Sequence, residues 1–476
     1  MNLRFYPLAA ALFFIACTPV KKGPVQLTPL TPSSRHAPTV KMLAGQLLAG
    51  EWAQSLFVGI ISPAGEERYT FGAMGKTDRR LPDARSVYAI GSITKVFTGL
   101  LLQQMVAAGE VTLGTTVGEL WPQGKFDPSV RAVTLSQLTT HTSGLPRMPK
   151  SFNPAKAADP YADFTGEKLR IALEKITVSK GPHPHAYSNL GVGLLGYLLA
   201  KKAGKPYDLL LSGRILQPLG LSSTASLTDP ILPGVKTRLV EGYTDGTTVP
   251  DHWRFDALAG AGSLYSTGDD LLRFARLHLL EGHPHRRLLD AARRPLATRR
   301  GGHVGSGWML DDSGWVWHNG GTGGFRSHLA FHKKKKIIII VLASASSLAA
   351  DFMAGNIRRV MEGKKPGKTP PTLPLTGEAA RQYEGTFRCD LTGAPMVIKA
   401  EGGRLFARYG TQPFVRIYAA KPDVLYYRVV AAAMKVWFDD RNKAREVVLV
   451  QGKTKLTCTR PEPKSPADGP SKNPAP

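Results

Sequence analysis

The segment Ser92-Ile93-Thr94-Lys95 combines a nucleophile and a base at helical spacing. A serine hydroxyl is a poor nucleophile near neutral pH and needs a base at hydrogen-bond distance. Positions i and i+3 share one face of a helix, and the apolar residues that follow predict a buried helix over 93–108. Its N-terminus would favour developing negative charge at Ser92, and burial would favour the neutral form of Lys95. The alternative is an N-cap serine beside a lysine whose charge reaches the surface.

The segment Tyr187-Ser188-Asn189 supplies a second set of groups, 95 residues after Ser92. A tyrosine held beside a lysine ammonium loses its proton more easily and can act as a base. An asparagine amide has a donor end and an acceptor end, so Asn189 can bind a substrate amide or ester. The alternative is a turn whose asparagine caps the next helix.

The third segment, His318-Asn319-Gly320, closes a strand that runs from Trp315 and continues into Gly321. A strand that ends in glycines lets its backbone approach a ligand closely. The N–H of Gly321 can pair with that of Ser92 as an oxyanion hole. The alternative is a hairpin turn with an incidental histidine.

The elements that position these segments form one main domain. A chain of 476 residues suggests two domains, or one large domain with an appendix. We predict strands at 56–62, 67–74, 305–310, 315–318, 328–332 and 337–344, and helices at 93–108, 191–203 and 269–280. Strands at both ends with helices between them imply an antiparallel sheet flanked by helices, an α+β type of α/β domain over 39–363. Lys333–Lys336 and the apolar run after them favour a hairpin turn leading into a buried central strand.

The sequence changes character after a Pro-rich linker at 364–376. Short alternating segments over 377–460 predict a second domain, a small antiparallel β-barrel. Cys389 lies near its first strand and Cys458 near its last, and these strands are neighbours in a closed barrel, so a disulfide between them is expected in an oxidising compartment; the alternative is two separate thiols. The tail at 461–476 has nothing apolar to bury and is predicted to be disordered.

The N-terminus predicts export. A short basic start and a 12-residue apolar run, Phe5 to Ala16, are typical of a signal peptide over 1–16. The run ends directly before Cys17 and resembles the lipobox of bacterial lipoproteins, so we expect a lipid on Cys17 and a flexible tether over 17–38. This places the protein in the periplasm, bound to the cell-envelope membrane by its lipid. The alternative is an ordinary secretion signal cut near the same place, which also exports the protein. Export argues against a nucleic-acid role for its net charge of +26, and no nucleic-acid-binding motif is present. The charge suits contact with anionic envelope polymers or lipid head groups; the alternative is a generic solvated basic surface.

Taken together, the ordered motifs resemble the serine β-lactamase and penicillin-binding protein superfamily. Residues 39–363 are similar to its class C β-lactamase, DD-peptidase and esterase branch, and further stretches that carry the resemblance are 138–146, 216–221 and 260–271. The resemblance implies Ser92 as the nucleophile, with Lys95 and Tyr187 sharing the general-base work. It implies that Asn189, Gly320 and Gly321 bind substrate and that His141, within 138–146, is structural. The C-terminal module resembles small lipocalin-like barrels attached to some of these hydrolases.

His318 departs from the lysine that antibiotic-destroying members of the superfamily usually carry in the third motif. A lysine is a permanent cation suited to a substrate carboxylate, whereas a histidine near pH 7 is mostly neutral and binds by a hydrogen bond. We count His318 among the catalytic residues. We predict an exported serine hydrolase that cleaves esters or amides in small molecules or peptidoglycan-derived peptides. The alternatives are a β-lactamase or DD-carboxypeptidase, and a penicillin- or cell-wall-binding protein without turnover. The mechanism needs no cofactor, and the His-Pro-His segments at 183–185 and 283–285 lack an evident third metal ligand.

Overall fold

The computed structural model describes residues 31–227, 233–244, 247–249, 252–391 and 393–461. The predicted signal peptide, Cys17 and the tail beyond residue 461 lie outside these ranges. In the part described, no helix is both long enough and apolar enough to cross a membrane.

The strands of the first domain build the sheet from both ends of the domain, as predicted. In chain order they are β1 Ser55–Ser62, β2 Gly65–Gly72, β3 Val87–Ala89, β4 Ala225–Ser226, β5 Tyr243–Thr244, β6 Thr247–Thr248, β7 Leu264–Thr267, β8 Ala297–Arg299, β9 Gly302–Val304, β10 Met309–Asp311, β11 Val316–Gly321, β12 Arg326–His332 and β13 Ile337–Ala343. The main sheet has eight strands in the order β2-β1-β13-β12-β11-β10-β9-β8. The strand predicted over 305–310 is shorter than expected, because residues 305–308 turn before β10 begins.

Helices cover both faces of this sheet. They are α1 Ala37–Ala49, α2 Thr94–Ala107, α3 Val117–Leu120, α4 Pro128–Arg131, α5 Leu135–Thr139, α6 Gly166–Glu174, α7 Asn189–Ala203, α8 Tyr207–Leu211, α9 Pro233–Lys236, α10 Ala259–Gly262, α11 Gly268–Leu277, α12 Arg286–Ala292 and α13 Ala349–Met361, with a single 3₁₀ turn at Gly91–Ile93 and a π turn at Ser212–Leu216. The described start of the chain is packed as well: Ser33 N donates to the Glu66 carbonyl (2.9 Å) and His36 N to the Glu67 carboxylate (2.9 Å). The folded region therefore begins before Thr39, inside the predicted tether.

Strand β13 is the buried central strand that the apolar run predicted. Ile338, Ile340 and Leu342 face the helical core that contains α2, α7 and α11. The alternate residues of the strand face a second core formed with α1 and α13. Its neighbour β1 pairs with it in antiparallel register, and beyond the end of the pairing Ser55 Oγ lies 3.0 Å from Ser344 Oγ. Because both faces of the sheet are covered, the side chains at odd and at even positions of β13 are all buried. The strand is therefore apolar throughout and does not alternate between apolar and polar residues.

The second domain is a closed eight-stranded barrel, confirming the predicted small all-β module. After α14 (Gly377–Arg381) its strands are β14 Gly385–Cys389, β15 Pro395–Glu401, β16 Arg404–Tyr409, β17 Val415–Lys421, β18 Val424–Tyr427, β19 Ala433–Phe438, β20 Ala444–Gln451 and β21 Thr454–Thr459. Cys389 and Cys458 face each other on β14 and β21 and are joined by a disulfide. Apolar side chains fill the interior, among them Phe387, Met396, Leu405, Ile417, Leu425, Met434, Val436, Val447 and Leu456.

The barrel packs against the first domain through aromatic and cationic contacts. Tyr426 stacks on Trp52 with ring centroids 6.1 Å apart, and the guanidinium carbon of the buried Arg428 lies 5.0 Å from the Trp52 ring centroid. The Pro-rich linker at 364–376 is itself held, because Leu373 N donates to a barrel carbonyl at 2.7 Å. The two domains therefore share a packed boundary on the α1 and α13 side of the sheet.

Candidate functional site

Ser92 and Lys95 lie where the first motif predicts, at the start of a buried helix. Ser92 is in the 3₁₀ turn directly before α2, and Lys95 is in the first turn of α2. Lys95 Nζ donates to Ser92 Oγ at 3.0 Å and to the Ala261 carbonyl at 2.6 Å. The lysine is fully buried, and this burial, assisted by the positive charge of Arg147, holds its pKa well below the usual value. Lys95 is thus suited to be a neutral amine that accepts a proton from Ser92.

Helix α10 fixes the face of α2 that carries Lys95. The Thr98 hydroxyl, one turn after Lys95, donates to the Gly260 carbonyl at 2.7 Å, and Leu264 N donates to the Thr94 hydroxyl at 3.1 Å. The family resemblance singled out residues 260–271, but nothing in their sequence indicated that a carbonyl of this segment would hold the lysine. A backbone carbonyl can accept from any residue type, so the sequence carries no signal for this role.

Tyr187 lies against both members of the first motif. Its hydroxyl hydrogen-bonds Ser92, and Lys95 Nζ is 5.0 Å from its ring centroid. Burial raises the pKa of Tyr187 to about 12, outweighing the hydrogen bond from Ser92 and the charge of Arg147, which lower it. Burial of Tyr187 itself therefore opposes loss of the tyrosine proton in the resting site, and the expectation that Lys95 eases this loss stays a prediction. Tyr187 starts as a protonated phenol.

His141 and Ser188 hold the loop that carries Tyr187. The His141 ring stacks on the Tyr187 ring with centroids 4.3 Å apart, and Ser188 N donates to His141 Nδ1 at 3.1 Å. Ser188 Oγ accepts from Gly191 N (2.8 Å) and donates to the Pro146 carbonyl (2.7 Å). Ser188 rather than Asn189 is therefore the cap of α7, and the placement of His141 agrees with a structural role.

Asn189 is left with a free acceptor. It is the first residue of α7, its side chain hydrogen-bonds the Tyr161 hydroxyl, and its backbone N donates to the Arg147 carbonyl at 3.0 Å. Its Oδ1 is buried and has no hydrogen-bond partner among the described residues. An unsatisfied buried acceptor costs free energy, so this oxygen is suited to a substrate N–H or O–H. We call the region around Ser92, Tyr187, Asn189 and His318 the cleft; the first three of these residues are partly exposed.

His318 is buried on β11 and is uncharged. Its Nδ1 lies 2.6 Å from the Asn319 carbonyl, which can only accept, so Nδ1 carries the hydrogen and Nε2 presents a lone pair. Nε2 has no partner in the described part of the chain, and the ring centroid is 6.3 Å from that of Tyr187. Burial lowers the pKa of His318 to about 3. The neutral, hydrogen-bonding histidine expected from the sequence is consistent with this geometry.

The glycines of the third motif place β11 directly against the serine turn. A side-chain carbon on Gly320 would lie 1.9 Å from the Ile90 carbonyl oxygen, and one on Gly91 would lie 2.8 Å from Gly321 N. Gly91 also has φ +48°, a conformation that favours glycine. The backbone of Gly321 is thereby brought beside Ser92, where the sequence places the second oxyanion donor.

Asp351 on α13 is a positioning residue that the sequence analysis missed. Its carboxylate accepts from Asn319 Nδ2 (2.7 Å), Arg326 Nε (2.5 Å) and His328 Nδ1 (3.1 Å). Burial raises the pKa of Asp351, but the hydrogen bond from His328 and the charge of Arg326 outweigh it and bring the pKa to about 2. Asp351 therefore stays ionised and links β11 and β12 to α13. No local sequence motif predicts this contact.

The remaining predicted residues lie elsewhere. Cys17 is outside the described residues, and the Cys389–Cys458 disulfide belongs to the barrel. In the described ranges no group of three or more histidine, cysteine or acidic side chains is arranged to hold a metal ion.

Comparison with known proteins identifies a matching family and several relatives. The family model described as Beta-lactamase matches residues 45–361. The chain is 29% identical over 260 residues to the D-alanyl-D-alanine-carboxypeptidase/endopeptidase AmpH of Escherichia coli (strain K12), a match that covers 53% of this chain and 64% of that protein. It is 29% identical over 267 residues to penicillin-binding protein 4 of Amycolatopsis lactamdurans, covering 51% of this chain and 68% of that protein.

Solved structures agree on the fold. A β-lactamase from Sulfitobacter sp. EE-36 superposes with a TM-score of 0.59 at 21% identity, over 70% of this chain and 100% of that one. An octameric penicillin-binding protein homologue from Pyrococcus abyssi gives a TM-score of 0.59 at 21% identity, over 88% of this chain and 99% of that one. The mixed core of helices and antiparallel sheet is thus of the β-lactamase/transpeptidase type. Because the family model spans well over half of the sequence, from the helix before β1 to the end of α13, the chain belongs to the beta-lactamase family.

Proposed function

We propose that the protein is a serine hydrolase that works through an acyl-enzyme on Ser92. The observation that carries the proposal is the buried Lys95, whose Nζ lies 3.0 Å from Ser92 Oγ and whose pKa is held well below its usual value. A neutral amine at hydrogen-bond distance is the base that a serine nucleophile needs. Relatives named as β-lactamases, a penicillin-binding protein and a carboxypeptidase support the same type of chemistry.

In the first half of the reaction, the Ser92 proton passes to Lys95 as Oγ forms a bond to the substrate carbonyl carbon. The carbonyl oxygen takes the negative charge and is bound by the N–H groups of Ser92 and Gly321. When this intermediate collapses, the bond from the carbon to the leaving group breaks. The leaving group takes the hydroxyl proton of Tyr187, which is a phenol in the resting site, and Lys95 returns a proton to Tyr187.

In the second half, water adds to the acyl carbon and gives its proton to Lys95, which is again a free base. Collapse releases the acid, and Ser92 recovers its proton. Every proton is returned within the cleft, so the cycle needs no cofactor.

For the substrate, we propose an ester or amide of the kind cleaved by esterases and D-amino-acid peptidases of the class C-like branch. His318 supports this choice, because its Nε2 is an uncharged acceptor at the place where a permanent cation would bind a carboxylate. Asn189 Oδ1 offers a second acceptor. A substrate with N–H or O–H donors on either side of the scissile bond would satisfy both.

A β-lactamase or DD-carboxypeptidase is the second candidate, and the printed name of the Escherichia coli relative favours it. Nitrocefin and a peptide ending in D-Ala-D-Ala, assayed beside a short-chain ester and a D-amino-acid amide, would separate the two candidates. A penicillin- or cell-wall-binding protein without turnover would instead give a labelled acyl adduct that never hydrolyses.

We also propose that the protein is an exported lipoprotein of the bacterial cell envelope. The support is the apolar run before Cys17 and the basic start. Metabolic labelling with a fatty-acid analogue tests this, since a Cys17→Ala variant should lose the label and the membrane association together. Label retained by Cys17→Ala would refute the anchor.

The experiment for the hydrolase itself is the turnover of an activated ester by the Ser92→Ala variant. We expect turnover to fall by several orders of magnitude, because the variant lacks the hydroxyl that forms the acyl-enzyme. Ser222→Ala, at an exposed serine outside the cleft, should keep the wild-type rate. Full turnover by Ser92→Ala would refute the proposal.

A further inference from the structure

Arg147 is a cation whose backbone is fixed to the substrate-binding motif. Asn189 N and Leu190 N both donate to its carbonyl, at 3.0 and 3.1 Å. The preceding carbonyl, of Pro146, accepts from Ser188 Oγ at 2.7 Å. The residue is therefore anchored to the first turn of α7, and its position relative to Tyr187 and Asn189 does not depend on a freely moving loop.

The side chain of Arg147 reaches over the ring of Tyr187. Its guanidinium carbon lies 5.3 Å from the ring centroid, and Lys95 Nζ lies 5.0 Å from the same centroid. Arg147 is exposed, and within the described residues its guanidinium forms no ion pair and no hydrogen bond. Its donors are thus available on the solvent side of the tyrosine that borders the cleft.

The charges around the cleft are unbalanced. The carboxylate on the β11 side, Asp351, is already bound by Arg326, His328 and Asn319. Burial lowers the pKa of His318 to about 3 and holds the pKa of Lys95 well below its usual value. Arg147 also acts on the interior of the site, because its positive charge lowers the pKa of both Lys95 and Tyr187. Among the residues described, Arg147 is a permanent cation beside Tyr187 that forms no ion pair with a carboxylate.

We propose that Arg147 binds a carboxylate of the substrate, on the side of the cleft formed by Asn189. The inference rests on the proposed hydrolase function and adds a charge to its substrate. The planar guanidinium presents paired N–H donors that match the two oxygens of a carboxylate. The cation that position 318 lacks would thus be supplied by a residue anchored to α7 rather than to β11, so the anionic group and His318 contact different parts of the substrate.

The test compares substrates that differ only in this charge. p-Nitrophenyl monoesters of dicarboxylic acids of increasing chain length are assayed against the same compounds with the free carboxyl methylated, and kcat/KM is measured for each. We expect wild-type protein to prefer the acid at one chain length, and Arg147→Gln to reduce that preference about tenfold or more, the range of a hydrogen bond to a charged group. Arg147→Lys should keep part of it.

The ratio of the two substrates isolates recognition from catalysis. Removing Arg147 also removes a charge that lowers the pKa of Lys95, but this change affects the acid and its methyl ester alike and cancels in the ratio. Arg445→Gln, at an exposed arginine on barrel strand β20, is the control for net charge and should leave the ratio unchanged. A ratio that Arg147→Gln does not alter would overturn the proposal and leave an ordinary solvated arginine.

Binding to the Ser92→Ala variant separates this inference from the proposed function. Isothermal titration calorimetry with amide versions of the same acid and methyl ester reports the charge preference without turnover, because the Ser92→Ala variant lacks the nucleophile. If turnover proves independent of Ser92, the hydrolase proposal fails. The carboxylate site is still supported if Ser92→Ala binds the acid more tightly than the methyl ester and the Ser92→Ala/Arg147→Gln double variant loses that preference. Equal binding of acid and methyl ester to Ser92→Ala would refute the carboxylate site.

Discussion

Replacing Gly320 by alanine should disable the site through the backbone alone. The new side-chain carbon would lie 1.9 Å from the Ile90 carbonyl oxygen and 2.6 Å from Ser327 Oγ. That carbonyl belongs to the residue before Gly91, and it already accepts a hydrogen bond from Ser327 Oγ at 2.8 Å. Contacts shorter than 3.0 Å are not sustained, so β11 and the serine turn must separate by about 1 Å.

The expected loss follows from that displacement. A misplacement of about 1 Å costs roughly 100-fold in rate, and loss of one oxyanion donor costs about 100- to 1,000-fold. We therefore expect Gly320→Ala to slow acylation at least about 100-fold. The assay is the stopped-flow burst of p-nitrophenolate from an activated ester, with circular dichroism to verify that the variant is folded.

The neighbouring glycine provides the matched control. A side-chain carbon on Gly321 would meet Arg326 Nη1 at 2.9 Å, the far end of a flexible side chain, and Gly321→Ala keeps its backbone N–H. It should acylate within a few-fold of wild type. Gly355→Ala on α13, where nothing lies within 4 Å, should have no effect on rate. If folded Gly320→Ala acylates as fast as Gly321→Ala, the backbone contact does not position the oxyanion hole.

Two further predictions concern ionisation and the barrel. Activity should fall as the pH falls through the lowered pKa of Lys95, because protonation removes the base. His318, with a pKa of about 3, should contribute no inflection to the profile of kcat/KM against pH between roughly pH 5 and 9. If the wild-type profile has an inflection near neutrality that His318→Gln removes, the prediction for His318 is wrong. Replacing Cys389 and Cys458 by alanine opens a loop with a sequence separation of 69 residues and should lower the unfolding free energy of the barrel by about 4 kcal/mol as an upper limit, measured by urea titration followed by circular dichroism. A midpoint unchanged by the substitutions or by reduction would show that strand pairing alone closes the barrel.

The sequence predicted elements well where periodicity decides the structure. The apolar run after Lys336 could form only a buried strand or a buried helix segment, and the turn before it favoured the strand, now β13. The N-terminal position of Ser92 followed from the apolar residues of α2. The closed barrel followed from alternation and turn spacing, and in the structure Cys389 and Cys458 lie on neighbouring strands.

What the sequence could not predict depends on contacts between distant segments. Asp351 is 32 residues from Asn319, and the hydrogen bond between them exists only because α13 packs against β12 and β13. Arg147 directly follows residues 138–146, a stretch that carries the family resemblance, but it belongs to no motif itself. Its place over Tyr187 comes from backbone hydrogen bonds to α7. The raised pKa of Tyr187 comes from burial of the tyrosine itself, which the spacing of the motifs does not reveal.

The pairing of β1 with β13 constrains how the chain reaches its folded state. Ser55 and Ser344 are in contact across 289 residues of sequence. Closing a loop of that length costs about 5 kcal/mol in chain entropy before any contact repays it, and such long-range pairings slow folding. During synthesis, β1 has no β13 to pair with until almost the whole domain has been made. A fragment that ends before Ile337 contains Ser92, Lys95 and Tyr187 but lacks the strand that joins the two ends of the sheet.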